Sequence, residues 1–152
     1  GTWDFAENWS AFASYAYNDS TFDDDTVDGN GVVVARTKDK TTPDTPQHLM
    51  KAEISYEKDG LFGRFSLSYL SKRYFNYEND RSVPSQMLAD FTVGYRFSGT
   101  PMLECLEAQL NISNLFDKNP AIIPSATGGQ ASSSNFGDEF GRRYQLGLNV
   151  NF

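Results

Sequence analysis

Cysteine and histidine are almost missing from this chain. A single cysteine, Cys105, among 152 residues excludes an intrachain disulfide framework and a Cys-rich zinc site. A single histidine, His48, gives no His-cluster metal centre, and no cofactor is expected. Positive charge is also in short supply: 13 Lys and Arg stand against 20 Asp and Glu, for a net charge of −7. Nucleic acid calls for a basic face, so it is excluded as a partner. No run of 18 apolar residues exists, so there is no transmembrane helix. The opening Gly1-Thr2-Trp3-Asp4 has neither the basic region nor the apolar stretch of a signal peptide. Long segments with helical spacing and polar opposite faces are lacking as well. None of this excludes a membrane, because a β-barrel strand hides its apolar residues at every second position.

What is abundant is aromatic. Rings make up 14% of the chain, with eight Tyr, twelve Phe and two Trp, while hydrophobic residues reach only 39% in all. The governing period is two. Six segments alternate: Trp9 to Asn18, Gln47 to Glu57, Leu61 to about Phe75, Gln86 to Phe97, about Glu104 to Asn114, and Phe140 to Phe152. In the fourth, Met87, Ala89, Phe91, Val93, Tyr95 and Phe97 oppose Leu88, Asp90, Thr92, Gly94 and Arg96. In the last, Tyr144, Leu146, Leu148, Val150 and Phe152 oppose Arg143, Gln145, Gly147, Asn149 and Asn151.

These segments run to roughly 10 to 13 residues, against about 5 to 6 for strands of soluble proteins. A strand tilted about 45° needs roughly 9 to 11 to cross a bilayer. Rings sit near the ends of the apolar faces, as Trp9 with Tyr17, Tyr56, Tyr95 with Phe97, and Tyr144 with Phe152, with small and aliphatic residues between. That is the pattern of an aromatic girdle at each interface. The connections alternate too. Lys58-Asp59-Gly60 and the stretch from Ser98 to about Leu103 are short; Asp19 to Pro46, Asn76 to Ser85 and Leu115 to Glu139 are long. Short periplasmic turns and long extracellular loops are the bacterial barrel arrangement.

Register supplies an internal check. A two-residue Asp59-Gly60 turn of type I′ pairs Lys58 with Leu61. It then brings Ile54 to Phe65, Ala52 to Leu67 and Tyr56 to Gly63 on the apolar face, and Glu53 to Ser66, diagonal to Arg64, on the other.

The C-terminal Tyr144-Gln-Leu-Gly-Leu-Asn-Val-Asn-Phe152 resembles the terminal strand of bacterial outer-membrane proteins. On that resemblance Tyr144, Leu146, Leu148, Val150 and Phe152 form the signal read by the outer-membrane assembly machinery. Upstream, Leu110-Asn-Ile-Ser-Asn-Leu-Phe-Asp-Lys118 followed by Gly141-Arg-Arg-Tyr144 resembles the closing hairpin of TonB-dependent receptors. Phe12-Ala-Ser-Tyr-Ala-Tyr17 with the acidic loop after it, and Thr45-Pro-Gln-His48, fit the same family. The resemblance implies an all-β, antiparallel transmembrane barrel, with this chain supplying about six long strands. Members of the family have an N-terminal plug and a barrel of about 22 strands. Residues 1–152 are therefore expected to be the C-terminal part of a barrel, with the plug absent from this chain. Trp3-Asp4-Phe5 would end a preceding strand, and Ala6 to Asn8 would form a periplasmic turn.

The implied function is energised uptake of a scarce nutrient, such as a ferric siderophore or an oligosaccharide, across the bacterial outer membrane. The implied partners are outer-membrane lipid and lipopolysaccharide, the assembly machinery, the small nutrient ligand, and the TonB complex through the N-terminal part. Two alternatives stay open. One is a small structural or passive-diffusion barrel; the other is a soluble, carbohydrate-binding β-sandwich. No nucleophile–His pairing supports an enzyme.

Candidate ligand contacts are the loop aromatics Phe22, Tyr74, Phe75, Tyr77 and Phe136, which could stack on a siderophore or sugar or simply pack the loops. Among the inward charges Lys51, Glu53, Arg64, Lys72, Asp90, Arg96, Glu107 and Arg143, the arginines Arg64, Arg96 and Arg143 could meet a ligand, or the set could form an ion-pair network on a polar wall. His48 reads as an interfacial ring, and Cys105 as a buried or lumen-side thiol. Asp24-x-Thr26-x-Asp28-Gly29 resembles the start of an EF-hand loop, but Thr26 and Ala35 stand where carboxylates are wanted. A solvated loop is the better reading; metal bridging among Asp23, Asp25 and Asp28 is the weaker one.

Overall fold

Seven strands form one antiparallel sheet in chain order in the computed structural model, which describes residues 1–97, 105–119, 122–123, 132–133 and 141–151. They are β1 (Thr2–Ala6), β2 (Trp9–Tyr17), β3 (His48–Lys58), β4 (Leu61–Leu70), β5 (Gln86–Phe97), β6 (Cys105–Ser113) and β7 (Arg143–Asn151). Every pairing joins consecutive strands, so the sheet is a meander with β1 and β7 at its edges. No helix occurs among the described residues. Strand β1 contains the expected end of a preceding strand and closes on β2 through Glu7-Asn8, with Asn8 at φ 68°.

The β3–β4 hairpin has the expected register: Lys58 faces Leu61, Tyr56 faces Gly63, Ile54 faces Phe65 and Ala52 faces Leu67. Its turn places Asp59 at φ 48° and Gly60 at φ 86°. Positive φ at both central residues defines type I′, whose twist matches that of the flanking strands.

The third alternating segment, strand β4, ends sooner than its alternation predicts. It stops at Leu70 rather than about Phe75, and Arg73–Tyr74 pairs instead with Ser82–Val83 in a separate ribbon. Ser71 is the cause. Its amide donates to the His48 carbonyl at 2.9 Å, and its hydroxyl accepts the His48 amide at 3.0 Å. That side-chain bond takes the donor a further ladder rung would have used. Lys72 consequently leaves the polar wall and lies exposed, with Nζ 3.3 Å from the Tyr74 hydroxyl.

The two faces of the sheet differ sharply. One face carries Ala11, Ala13, Ala52, Ile54, Leu67, Val93, Leu110 and Leu148 across the middle of the strands, in register from β2 to β7. Phe65 pairs with Phe91 there, so the middle is not purely aliphatic; a phenyl ring has no polar end to anchor at an interface. None of the described residues forms a layer over this face. Leu146 and Leu148 remain 75% and 70% exposed, and the only buried hydrophobics among the described residues are Leu70, Val83 and Ala89. A contiguous bare apolar surface is what a lipid-facing wall presents, and a water-soluble body would bury it. The 11 residues of β3 span about 37 Å, or about 26 Å of membrane when tilted 45°, against an apolar band of about 25 Å.

Rings frame that band. At the short-turn end Trp9 and Tyr56 have centroids 4.8 Å apart, Phe5 and Trp9 6.2 Å, and Tyr95 and Phe97 4.6 Å. At the long-loop end Tyr15 and Tyr17 flank His48, with the Tyr15 hydroxyl 2.9 Å from His48 Nδ1. His48 is thus an interfacial ring with a phenol partner.

Candidate functional site: the polar face and the loop cluster

The opposite face is polar, and its charges pair across strands. Arg64 on β4 reaches Glu53 on β3 at 3.5 Å. Arg96 on β5 sits between Glu57 on β3 and Glu107 on β6, with Nε 2.8 Å from the latter. Thr92 donates to Asn111 at 2.9 Å. Asp90 accepts the Asn114 amide at 2.9 Å, and so serves the end of β6. Ion pairs this exposed contribute little stability each, about 0 to 1 kcal/mol, so the pattern sets charge and shape more than stability. Near the short-turn end this face encloses a concavity of about 530 Å³ whose walls include Asp4, Arg64, Arg96 and Glu107.

Phe62 belongs to this face and was not among the sequence candidates. Its ring covers Gly94 on β5 and lies 4.5 Å from the Arg96 guanidinium carbon. A Cβ at Gly94 would strike that ring and come within 2.7 Å of the Ala108 carbonyl oxygen. A glycine inside a strand marks such a close approach; Gly94 was the signal available, and register with Phe62 was its meaning.

At the other end two of the long loops, Asp19 to Pro46 and Asn76 to Ser85, pack together. Phe22 and Tyr77 have ring centroids 5.9 Å apart. Asn79 bridges to Thr41, accepting its amide at 2.6 Å and donating to its carbonyl at 2.9 Å. Asp44 accepts from Arg73 Nε at 2.7 Å, and its amide donates to the Tyr74 carbonyl at 2.6 Å. Asn79, Asp44 and Arg73 carry the loop junction, yet nothing local to them in the sequence announces it.

The predicted aromatic group is divided here. Tyr77 stacks on Phe22, Tyr74 contacts Lys72, and no ring contact among the described residues joins Tyr74, Phe75 and Tyr77. Phe136 lies outside the described residues. Arg64 and Arg96 are engaged with carboxylates, and Arg143 faces Ser113 across β6 and β7. Tyr144, Leu146, Leu148 and Val150 stand on the bare apolar face of β7, opposite Ile112, Leu110, Ala108 and Leu106; Phe152 lies outside the described residues, as does the side chain of Cys105.

The acidic loop uses its carboxylates internally. Asp28 Oδ1 accepts the amides of Asn30 and Val32, both at 2.9 Å, and Asp25 Oδ1 accepts the Lys38 amide at 3.0 Å. These backbone donors, Val32 first and Asn30 next, hold the Asp28 carboxyl below its ordinary value of 3.8. Among the described residues no group of three or more His, Cys, Asp or Glu is placed to hold a metal ion.

The geometry is that of a single-layer sheet, apolar on one face and charged on the other, with turns at one end and packed loops at the other. A comparison with curated proteins gave no match. The family model described as "TonB dependent receptor-like, beta-barrel" matches residues 1–115, which take in β1 to β6. The chain belongs to the TonB-dependent receptor-like β-barrel family.

Proposed function

We propose that this chain is a C-terminal wall segment of a TonB-dependent transporter, and that the transporter imports a scarce nutrient such as a ferric siderophore or an oligosaccharide. The single observation carrying the reading is the two-faced, one-layer sheet: bare apolar side chains on one side, and the Glu53–Arg64 and Glu57–Arg96–Glu107 pairs on the other. Family membership supports an outer-membrane receptor or transporter in general. A soluble carbohydrate-binding sandwich would need a second layer over the apolar face, and none of the described residues forms one.

In this reading the polar face lines the lumen. Its cross-strand ion pairs present a wetted, charged surface to a plug and to passing cargo. The loop cluster around Phe22, Tyr77, Asn79 and Thr41 forms the outward rim, where capture begins. The wall and rim are what this segment contributes; force on the plug comes from the TonB complex through the N-terminal part of the receptor.

The test is uptake in cells whose own gene for the receptor is deleted and then restored, with and without TonB. Growth on one limiting nutrient that requires both the receptor and TonB supports the proposal. Nutrient entry through the receptor that is unchanged without TonB makes it a passive pore and overturns the proposal.

A further inference from the structure

Arg73 stands out among the described residues. Its side chain is 3% exposed, deep in the loop junction, and Nε is engaged with Asp44 at 2.7 Å. Nη1 is buried and has no hydrogen-bond partner, alone among the side-chain polar atoms of the described residues. Burying such a donor unused is unfavourable, the more so when the group is charged. Arg73 also lines a cavity of about 280 Å³, together with Thr41, Thr45, His48, Lys72 and Tyr74. The cavity lies where the ribbon after β4 meets the loop before β3.

We propose that this cavity is an oxyanion site, taking a carboxylate or phosphate oxygen on Arg73 Nη1. Asp44 already neutralises the Arg73 charge, and Lys72 at the exposed rim adds one positive charge, so the site suits an anion of about one negative charge. Thr41 and Tyr74, each with a hydroxyl, also line the cavity, while the Thr45 hydroxyl donates to the Pro43 carbonyl at 3.2 Å. The Lys72–Tyr74 contact is exposed and spans two residues, so it opens to admit the anion and recloses on it. The same chemistry fits two sources: the phosphate of an outer-leaflet lipid, or a small free anion. The site does not depend on the transport reading, and failure of TonB-dependent uptake would leave it standing.

The experiment uses the whole receptor in detergent, with isotope-labelled arginine. The Arg73 guanidinium resonance is assigned by its loss in Arg73→Lys. One arm titrates inorganic phosphate; the other adds micelles containing lipid A with or without its phosphates. A saturable shift of that resonance in either arm supports the site and names its source, the first a free anion, the second a lipid. Lys72→Gln weakens binding several-fold, and Arg73→Gln lowers it about tenfold or more. Should Arg73→Gln fail to fold, the wild-type titration and Lys72→Gln decide alone. No shift in either arm overturns the proposal. So does a guanidinium already hydrogen-bonded before any anion is added, because another segment of the receptor then holds the donor.

Discussion

Asp117 Oδ1 accepts the backbone amide of Arg142 at 2.8 Å, across 25 residues of sequence. This one bond ties the turn after β6 to the start of β7. Asn114 ends β6 by clamping Lys118, accepting its amide at 2.9 Å and donating to its carbonyl at 2.7 Å. That turn, with Asn114 at φ 52° and Asp117 at φ 53°, aims the Asp117 carboxylate at the start of β7. A Cβ at Gly141 would come within 2.7 Å of the same oxygen, so the glycine clears its path. Asp117→Ala is expected to destabilise the junction by about 1 to 3 kcal/mol. Limited proteolysis between β6 and β7 measures it: faster cleavage in the variant is expected, and unchanged cleavage would deny the bond its role.

The two faces predict opposite tolerances to charge. Ala52→Arg or Leu110→Arg places a guanidinium on the bare apolar band, at a cost of roughly 2 to 4 kcal/mol near the bilayer midplane, whereas Ser66→Arg or Gln109→Arg on the polar face costs much less. Unfolding free energies in lipid vesicles compare them, and equal costs on the two faces would contradict the lipid-facing assignment.

Gly94 and Phe62 are coupled by contact. Gly94→Ala forces its methyl against the Phe62 ring and the Ala108 carbonyl, and is expected to cost about 1 to 3 kcal/mol. Adding Phe62→Ala recovers part of that loss, because the ring moves away while the backbone oxygen stays. A double-mutant cycle reads the coupling; strictly additive effects would show the two residues to be independent.

Acid acts on the loop between β2 and β3 through Asp28. Its folded carboxyl titrates below the ordinary 3.8, so the order it confers is fully present above that value and is lost as pH falls through the lower, folded one. The Val32 amide shift, followed by NMR from pH 7 downward, is expected to stay constant until well into the acid range. In Asp28→Ala the same shift is already displaced at neutral pH. A titration centred above 3.8 would reverse the sign and refute the cause.

The parts legible in the sequence are those set by neighbours in the chain. Asp59-Gly60 between alternating segments is a complete local instruction, and it yields the Tyr56–Gly63 pairing without further information. The end of β4 is not local. Ser71 to Phe75 continue a plausible alternation, and only the hydroxyl contact with His48, 23 residues away, ends the strand. Arg73 reads as one more strand residue until Asp44 buries it. Asp117 meeting Arg142, across 25 residues, likewise needs the folded turn. That Tyr77 meets Phe22 on a different loop is also a product of the folded loops and not of chain neighbours.

The meander has a consequence for how freely this wall can diversify. Each strand lies beside the one made just before it, so the sheet can zip up hairpin by hairpin. Lengthening the segment between Tyr17 and His48 twofold would add only about 0.6 kcal/mol of closure entropy. The staves can therefore keep their alignment while the segment between Tyr17 and His48 is rewritten.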